Sequence, residues 1–184
     1  SIFLQKWNKI YNLSQNPYRN YIKGLYYTWL VKKYGKVCLG GTFDKIHLGH
    51  ESLLRTAFSL SDEIIIGLTS DRRAKINRSE EHINPYSERF ESLNEFISNN
   101  FKSNYSIVAL NDNWGPGVFD ESLNAIIVSE ETEKVAIELN VNRKLKGLEE
   151  LEIEVIPLVL AYDGKRISST RIRNKEINIE GSKA

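Results

Sequence analysis

The chain has 184 residues, 41% of them hydrophobic and 27% charged, and its 25 basic and 24 acidic side chains leave it at +1. That excludes a disordered or collagen-like chain and a globally basic nucleic-acid binder, and no run approaches the roughly 18 apolar residues of a membrane span. The lone cysteine, Cys38, excludes an internal disulfide and a cysteine-built zinc site, and fits a reducing, cytoplasmic setting with no secretory leader. No methionine occurs, so the chain was processed, trimmed or cut from something longer, and a neighbouring domain in a larger parent chain stays open.

Charge is unevenly spread. Residues 1–35 carry Lys6, Lys9, Arg19, Lys23, Lys32 and Lys33 and no acid, which leaves the remainder net acidic. The same stretch is rich in aromatics, among them Trp7, Tyr26, Tyr27 and Trp29. Gly35 marks a break, so the expected division is a basic, aromatic extension over 1–35 and a main domain over 36–184. Ile22, Leu25, Tyr26, Trp29 and Leu30 recur at helical spacing and predict an amphipathic helix packed on the main domain. A basic aromatic surface for RNA or anionic lipid, and a remnant of a neighbouring domain, are the alternatives.

From Lys36 strands and helices alternate. Val37–Leu39 reads as a strand that runs into Gly40 and Gly41. His50–Leu60 reads as a helix with Leu53, Leu54, Ala57 and Phe58 on one face. Ile64–Leu68 is a buried strand, Ser87–Asn99 a helix, and Ser106–Leu110 and Ala125–Val128 strands. Ser129 is expected to cap the next helix, with Glu130 and Glu131 in its first turn, and Gly147 to stop it. Glu152–Val159 is the last strand, and Ser169 or Thr170 opens a final short helix. Such alternation predicts an α/β fold of doubly wound, Rossmann-like type: a five-stranded parallel sheet with helices on both faces. Ligands in such sheets bind at the carboxyl ends of the strands, near the point where strand order reverses.

Two blocks fall at those ends. Gly40-Gly41-Thr42-Phe43-Asp44 follows the first strand, and His47-Leu48-Gly49-His50 opens the first helix. The glycines let backbone approach a ligand closely, and a helix N-terminus offers unpaired N–H groups that suit phosphate. His47 and His50, three apart, share a face of the helix. Metal ligation by this pair is disfavoured because no third ligand has suitable spacing. The second block is Ile167-Ser168-Ser169-Thr170-Arg171-Ile172-Arg173. Its hydroxyls can cap a helix or hold phosphate oxygens, and its arginines add positive charge. Either block alone would be weak; together they point to a nucleotide held by two helix starts.

GGTFD followed by HLGH, together with ISSTRIR, resembles the nucleotidyltransferase superfamily with the signatures H-x-G-H and I-S-S-T-x-x-R. Gly67–Asp71, Asn84-Pro85-Tyr86 with Arg89, Leu110–Asp112 with Gly115-Pro116, Val128–Thr132 and Ala161–Arg171 are similar to the archaeal and eukaryotic type of phosphopantetheine adenylyltransferase. The likeness covers roughly residues 36–181 and leaves out 1–35.

The resemblance implies transfer of an adenylyl group from ATP to 4′-phosphopantetheine in coenzyme A synthesis, with Mg²⁺ carried mainly by the ATP. It implies that Thr42 donates to the reacting phosphate and that His50 stabilises charge as pyrophosphate leaves. Gly40, Gly41, Thr42, Phe43, His47, Gly49, His50, Glu130, Ser168, Ser169, Thr170 and Arg171 become the expected ATP-binding residues. A basic residue after the second strand should meet the acceptor phosphate. Arg72, Arg73, Lys75 and Arg78 compete for that role, with Lys75 favoured as catalytic and acceptor-binding. Arg89, Asn111 and Asp112 are further acceptor-side candidates. For Glu130, adenosine contact and a plain first-turn acid weigh evenly. No nucleic acid and no membrane is expected as a partner. The alternatives are a cytidylyltransferase or a flavin or nicotinamide mononucleotide adenylyltransferase and, in a different class, a non-catalytic nucleotide- or RNA-binding module. The chain is too short for an added tRNA-binding domain and lacks a P-loop for a kinase activity.

Overall fold

The computed structural model describes residues 32–76 and 78–184. The helix expected over 22–30 lies outside the described residues. The main compact unit runs from Tyr34 to Ala184.

In chain order its elements are β1 (Val37–Gly41), α1 (Leu48–Leu60), β2 (Glu63–Thr69), α2 (Asp71–Ala74), α3 (Tyr86–Asn100) and β3 (Asn104–Leu110). A 3-10 turn (Gly115–Val118), β4 (Ala125–Ser129), α4 (Glu133–Leu145), β5 (Glu152–Ile156) and α5 (Ser169–Arg173) complete it. The five strands form one sheet in the order β3-β2-β1-β4-β5, and every neighbouring pair is parallel. The doubly wound expectation therefore holds, and strand order reverses between β1 and β4.

The period of two in the strands sorts residues onto two faces. Val37 and Leu39 of β1, Ile64 and Ile66 of β2, and Ala125 and Ile127 of β4 join one core with Leu54, Ala57 and Phe58 of α1 and Leu93 and Ile97 of α3. The intervening Cys38, Ile65 and Ile126 point to the opposite face, where they meet Val118, Leu123, Leu139 and Leu151. Helices thus cover both faces, as the near-continuous apolar strands require. Burial pushes the Cys38 thiol up to about 12, so it behaves as a small apolar side chain.

Three local expectations need correction. The β5 strand ends at Ile156, three residues short of Val159, because Pro157 has no N–H to continue the ladder. Ser129 is the last residue of β4 and not a helix cap; α4 starts only at Glu133, with Thr132 at its N-cap position. Finally, the stretch after β2 contains the short helix α2, which nothing in the sequence pattern announced. The stop at Gly147 is as expected: its φ of +76° is the left-handed conformation that suits glycine after a helix.

Among the described residues two arginines are fully buried. Arg143 of α4 donates to the carbonyls of Glu149, Gly117 and Asp120, which ties the helix to the 3-10 turn. Arg89 of α3 does the equivalent at the other end of the sheet, as described below. Among the described residues no helix is long and apolar enough to cross a membrane.

Candidate active site

The carboxyl ends of β1, β4 and β5 open into a cleft of about 750 Å³. On one side Gly40, Gly41, Thr42, His47, Gly49 and His50 line it; on the other, Arg166 to Arg171. The two expected blocks therefore face each other across a single cavity, although more than 100 residues separate them.

The first wall is built by local chemistry. His47 is the N-cap of α1, and its Nδ1 accepts the backbone N–H of Gly49 at 3.1 Å. A Cβ on residue 49 would sit 3.0 Å from that ring, so glycine is the residue that lets the cap form. The His47 and His50 rings stack at 3.9 Å between centroids. Phe43 supports them from beneath, its ring 4.9 Å from that of His50. Phe43 is fully buried and holds φ at +48°, a conformation that non-glycine residues rarely adopt. Its backbone thus turns the chain sharply while its side chain fills the core. Gly41 permits this, since a Cβ there would lie 2.9 Å from the Phe43 ring. Phe43 is consequently a support for His50 and not a lining residue of the cleft.

Burial, reinforced by His47, pushes the His50 imidazole down to about 3, and burial with the nearby Arg166 charge pushes His47 down to about 4. Both rings are neutral in the free protein near pH 7. The Nδ1 atom of His50 is buried, which leaves Nε2 as the nitrogen that can reach the cleft.

The second wall is delivered by the loop after β5. Leu160 bridges Arg166 and the Ile167 N–H reaches the Val159 carbonyl at 2.9 Å, so Asp163-Gly164 forms the tip of a small hairpin. Ser168 caps α5 by accepting the Arg171 N–H at 3.3 Å. The Ser169 hydroxyl donates to the Lys45 carbonyl at 3.2 Å, joining the two walls. Thr170 donates to Glu81 at 2.9 Å, and Arg173 pairs with both Glu81 and the buried Asp44. Arg171 lines the cleft, yet its guanidinium is spent on Asp163, Glu176 and the Arg166 carbonyl.

Several expected residues lie elsewhere. Glu130 is exposed and does not line the cleft; Ser129, Glu131 and Thr132 do, with Glu131 paired to Arg166. Lys75 is exposed at the end of α2 and lines neither this cleft nor the cavity described next. Arg89 is fully buried and lines neither this cleft nor the cavity described next. It donates to the carbonyls of Asn84, Thr42 and Thr69 and to the Asp71 carboxylate, all within 2.9 Å. Its role is to clamp the segments after β1, β2 and before α3 together. Asn111 is exposed, and Asp112 turns back to accept the N–H groups of Trp114 and Gly115, which hold its carboxyl below the usual range. Neither lines the cleft or the cavity described next.

What the sequence missed is Glu81, and among the four competing basic residues it favoured Lys75 over Arg78. Arg78 lines the cleft and donates to Thr42 Oγ1 at 3.0 Å, and Thr42 also receives the Thr69 hydroxyl at 3.2 Å. The chain between β2 and α3 thus reaches the carboxyl end of β1, by contacts no local pattern encodes.

A second, narrower cavity of about 180 Å³ lies on the opposite face of the sheet. Ile65, Gly67, Val108, Leu110, Trp114, Ile126, Val128 and Leu139 give it mostly apolar walls, with Arg73 and Asn113 at hydrogen-bond distance of each other. It shares Gly40, Gly41 and Thr132 with the main cleft, so the two are neighbours across the end of β1.

Comparison with known proteins agrees with this architecture. A family described as cytidylyltransferase-like matches residues 38–175. The chain is similar to the phosphopantetheine adenylyltransferase of Thermococcus kodakarensis, 46% identical over 77% of this chain and 86% of that protein. It is likewise similar to the phosphopantetheine adenylyltransferase of Methanothermobacter thermautotrophicus, 44% identical over 82% of this chain and 90% of that one. Among solved structures, a protein of unknown function from Archaeoglobus fulgidus superposes with a TM-score of 0.59 at 31% identity, over 66% of this chain and 88% of that one. On these matches, and on a fold and cleft of the corresponding kind, the chain belongs to the cytidylyltransferase-like family, among its phosphopantetheine adenylyltransferases.

Proposed function

We propose that this protein transfers the adenylyl group of ATP to 4′-phosphopantetheine, giving dephospho-coenzyme A and pyrophosphate. One observation carries this reading: the stacked His47–His50 pair and Ser168–Thr170 line one cleft, and a narrow apolar cavity adjoins it across Gly40 and Gly41. A triphosphate suits the first space and a thin, mostly apolar arm the second. The relatives that match most of the chain carry the same activity in their names.

The chemistry asks little of the protein beyond alignment and charge. An acceptor phosphate with a second pKa of ~6 is largely dianionic near neutral pH, so its oxygen can attack the α-phosphorus without a base. The bond from that phosphorus to the bridging oxygen breaks, and the electron pair leaves with pyrophosphate. Thr42 and the His50 Nε2 side of the ring line the cleft where this charge develops. The His47-capped start of α1 contributes N–H groups for the triphosphate, and Ser168 and Thr170 contribute hydroxyls. Arg78, already on Thr42 Oγ1, and Arg73, at the narrow cavity, are the cations best sited for the acceptor phosphate.

Mg²⁺ enters this reading as part of the nucleotide. No three His, Cys, Asp or Glu side chains converge on a metal position among the described residues, and the cleft acids Glu81 and Glu131 are paired with arginines. When bound, the ion would shield the triphosphate charge. The reading needs no nucleic-acid or membrane partner, and its setting is cytoplasmic.

Pyrophosphate release measured with ATP or CTP against a panel of acceptors tests the assignment. Turnover with ATP and 4′-phosphopantetheine is expected. Turnover with CTP and phosphocholine or glycerol 3-phosphate, and none with phosphopantetheine, would replace it by the cytidylyltransferase alternative.

A further inference from the structure

We propose that Trp114 sets acceptor specificity by donating its indole N–H to an amide carbonyl of the pantetheine arm inside the narrow cavity. The proposal rests on the adenylyltransferase reading above and goes beyond it in naming the residue and the group that it recognises.

Trp114 sits at the start of the 3-10 turn Gly115–Val118, and its backbone is fixed from both sides. Its N–H donates to Asp112 Oδ1 at 2.9 Å, and its carbonyl accepts the Gly117 N–H at 3.1 Å. The ring packs against the apolar cluster on the α4 side of the sheet and lines the 180 Å³ cavity. Its Nε1 is buried and has no hydrogen-bond partner. A buried indole N–H ordinarily finds an acceptor, because losing its water without a replacement is costly.

The same cavity holds a second such group. Arg73 Nε is also buried without a partner, although its terminal nitrogen donates to Asn113 Oδ1 at 2.7 Å. Neither orphan in this cavity is an acceptor. The complement of two N–H donors set in apolar walls is a slender ligand that brings oxygen acceptors of its own. The acceptor substrate has that chemistry: an apolar chain interrupted by amides, whose carbonyls accept. Its phosphate would then lie towards Gly40 and Gly41, which line both the cavity and the main cleft. Trp114 thereby measures the position of an amide along the arm, and a site built to give a hydrogen bond discriminates against analogues that cannot take it.

Site-specific replacement of Trp114 by 3-benzothienylalanine, the tryptophan analogue with sulfur in place of the ring N–H, keeps the ring packing and removes only the N–H donor. Steady-state kinetics of wild type and variant with 4′-phosphopantetheine, with an alkyl phosphate of similar length but no amide, and with ATP varied separately, test the assignment. The expected result is a KM for 4′-phosphopantetheine raised ~10-fold, an unchanged KM for ATP, and no difference between wild type and variant on the alkyl phosphate. A melting temperature equal to or above that of wild type would accompany it, since an orphan donor has been removed. Equal KM values for 4′-phosphopantetheine overturn the proposal and leave adenylyl transfer standing. A loss shared equally by the alkyl phosphate also overturns it, because that is a packing effect. Failure of the wild type to use 4′-phosphopantetheine at all overturns the underlying reading and the proposal with it.

Discussion

The two segments that lead away from the two central strands serve the same cleft by opposite means. After β1, residues 40–50 are held by neighbours in sequence: the His47 cap on Gly49, the stack of His47 on His50, and Phe43 under both. After β2, residues 70–84 are held by partners far along the chain: Arg78 on Thr42, Glu81 on Thr170 and Arg173, and the Asn84 N–H on Asp44. The first segment is a rigid cradle written in eleven residues. The second is a span whose shape exists only once the sheet has formed. Substitutions in the cradle should therefore strike chemistry, and substitutions at the anchors of the span should strike stability.

The largest expected effect is on chemistry. On the proposed reaction, His50 and Thr42, which line the cleft, face the position where charge develops as the bond to pyrophosphate breaks. A donor aimed there acts mainly in the transition state, so its loss should appear in kcat more than in nucleotide binding. Removing one such donor typically costs ~10²–10³ in kcat, or about 3–4 kcal/mol. His50→Ala and Thr42→Ala should each show a loss of this order, with ATP affinity measured by calorimetry changed much less. Weak ATP binding with normal turnover at saturation would reverse the role given to His50.

Next is the clamp between the two segments. Arg89 is fully buried and donates to the Thr42, Thr69 and Asn84 carbonyls and to Asp71. Arg89→Met keeps most of the volume and leaves those acceptors without donors. A destabilisation of about 3 kcal/mol is expected in urea unfolding. An acceptor-binding arginine would instead raise the acceptor KM and leave stability alone, so the two measurements decide between the roles.

How far the site could be read in advance follows the same division. The sheet, its order of strands and helices, and both phosphate-facing blocks were legible because each is a local pattern: period two, helical spacing, glycines at a strand end, hydroxyls at a helix start. Arg89 stood as an acceptor-side candidate because a basic residue beside a site motif looks alike whether it points into a cavity or into the core; only tertiary packing, which buries it here, separates the two. Asp112 looked like a ligand and proved to be a turn former, which Asp two residues before Trp114-Gly115 can also signal. Glu130 and Glu131 differ by one position, and the late start of α4 decided which of them reached the cleft. Glu81 was not legible at all, and Arg78 could not be told from its basic neighbours, since their partners lie 89 and 36 residues away.

A pH series sharpens the account of the cradle. His47 and His50 are depressed to about 4 and about 3, below the ordinary value of 6.5, so the folded protein holds both neutral where the unfolded chain would protonate them. The stability they contribute is fully present above pH 6.5 and is lost as pH falls towards 4. Around pH 5 each ring adds one proton to the difference between unfolded and folded states, a slope of about 1.4 kcal/mol per pH unit. His50→Gln should remove one of the two. Chemical unfolding measured between pH 6.5 and pH 4.5 should then show a visibly shallower acid limb in the variant. Parallel limbs would mean that His50 does not stay neutral in the fold.

The smallest expected effect lies on the span itself, at Lys75. The sequence favoured it for the acceptor phosphate, but the structure leaves it exposed at the end of α2 and away from both cavities. An exposed lysine at that distance acts on a bound phosphate only through screened, long-range charge, and the Debye length near 0.15 M salt is about 8 Å. Lys75→Ala should change kcat/KM for the acceptor less than about twofold, and raising the salt should erase even that. Arg78 is three residues further on and reads differently, because its guanidinium reaches Thr42 Oγ1 at 3.0 Å inside the cleft. The informative measurement is the pair. If Lys75→Ala falls tenfold or more in acceptor kcat/KM while Arg78→Ala does not, the segment closes differently around substrates, and Lys75 is the phosphate ligand after all. If both are silent, the acceptor phosphate is met by Arg73 from the narrow cavity, and the span serves only to hold the two walls of the cleft in register.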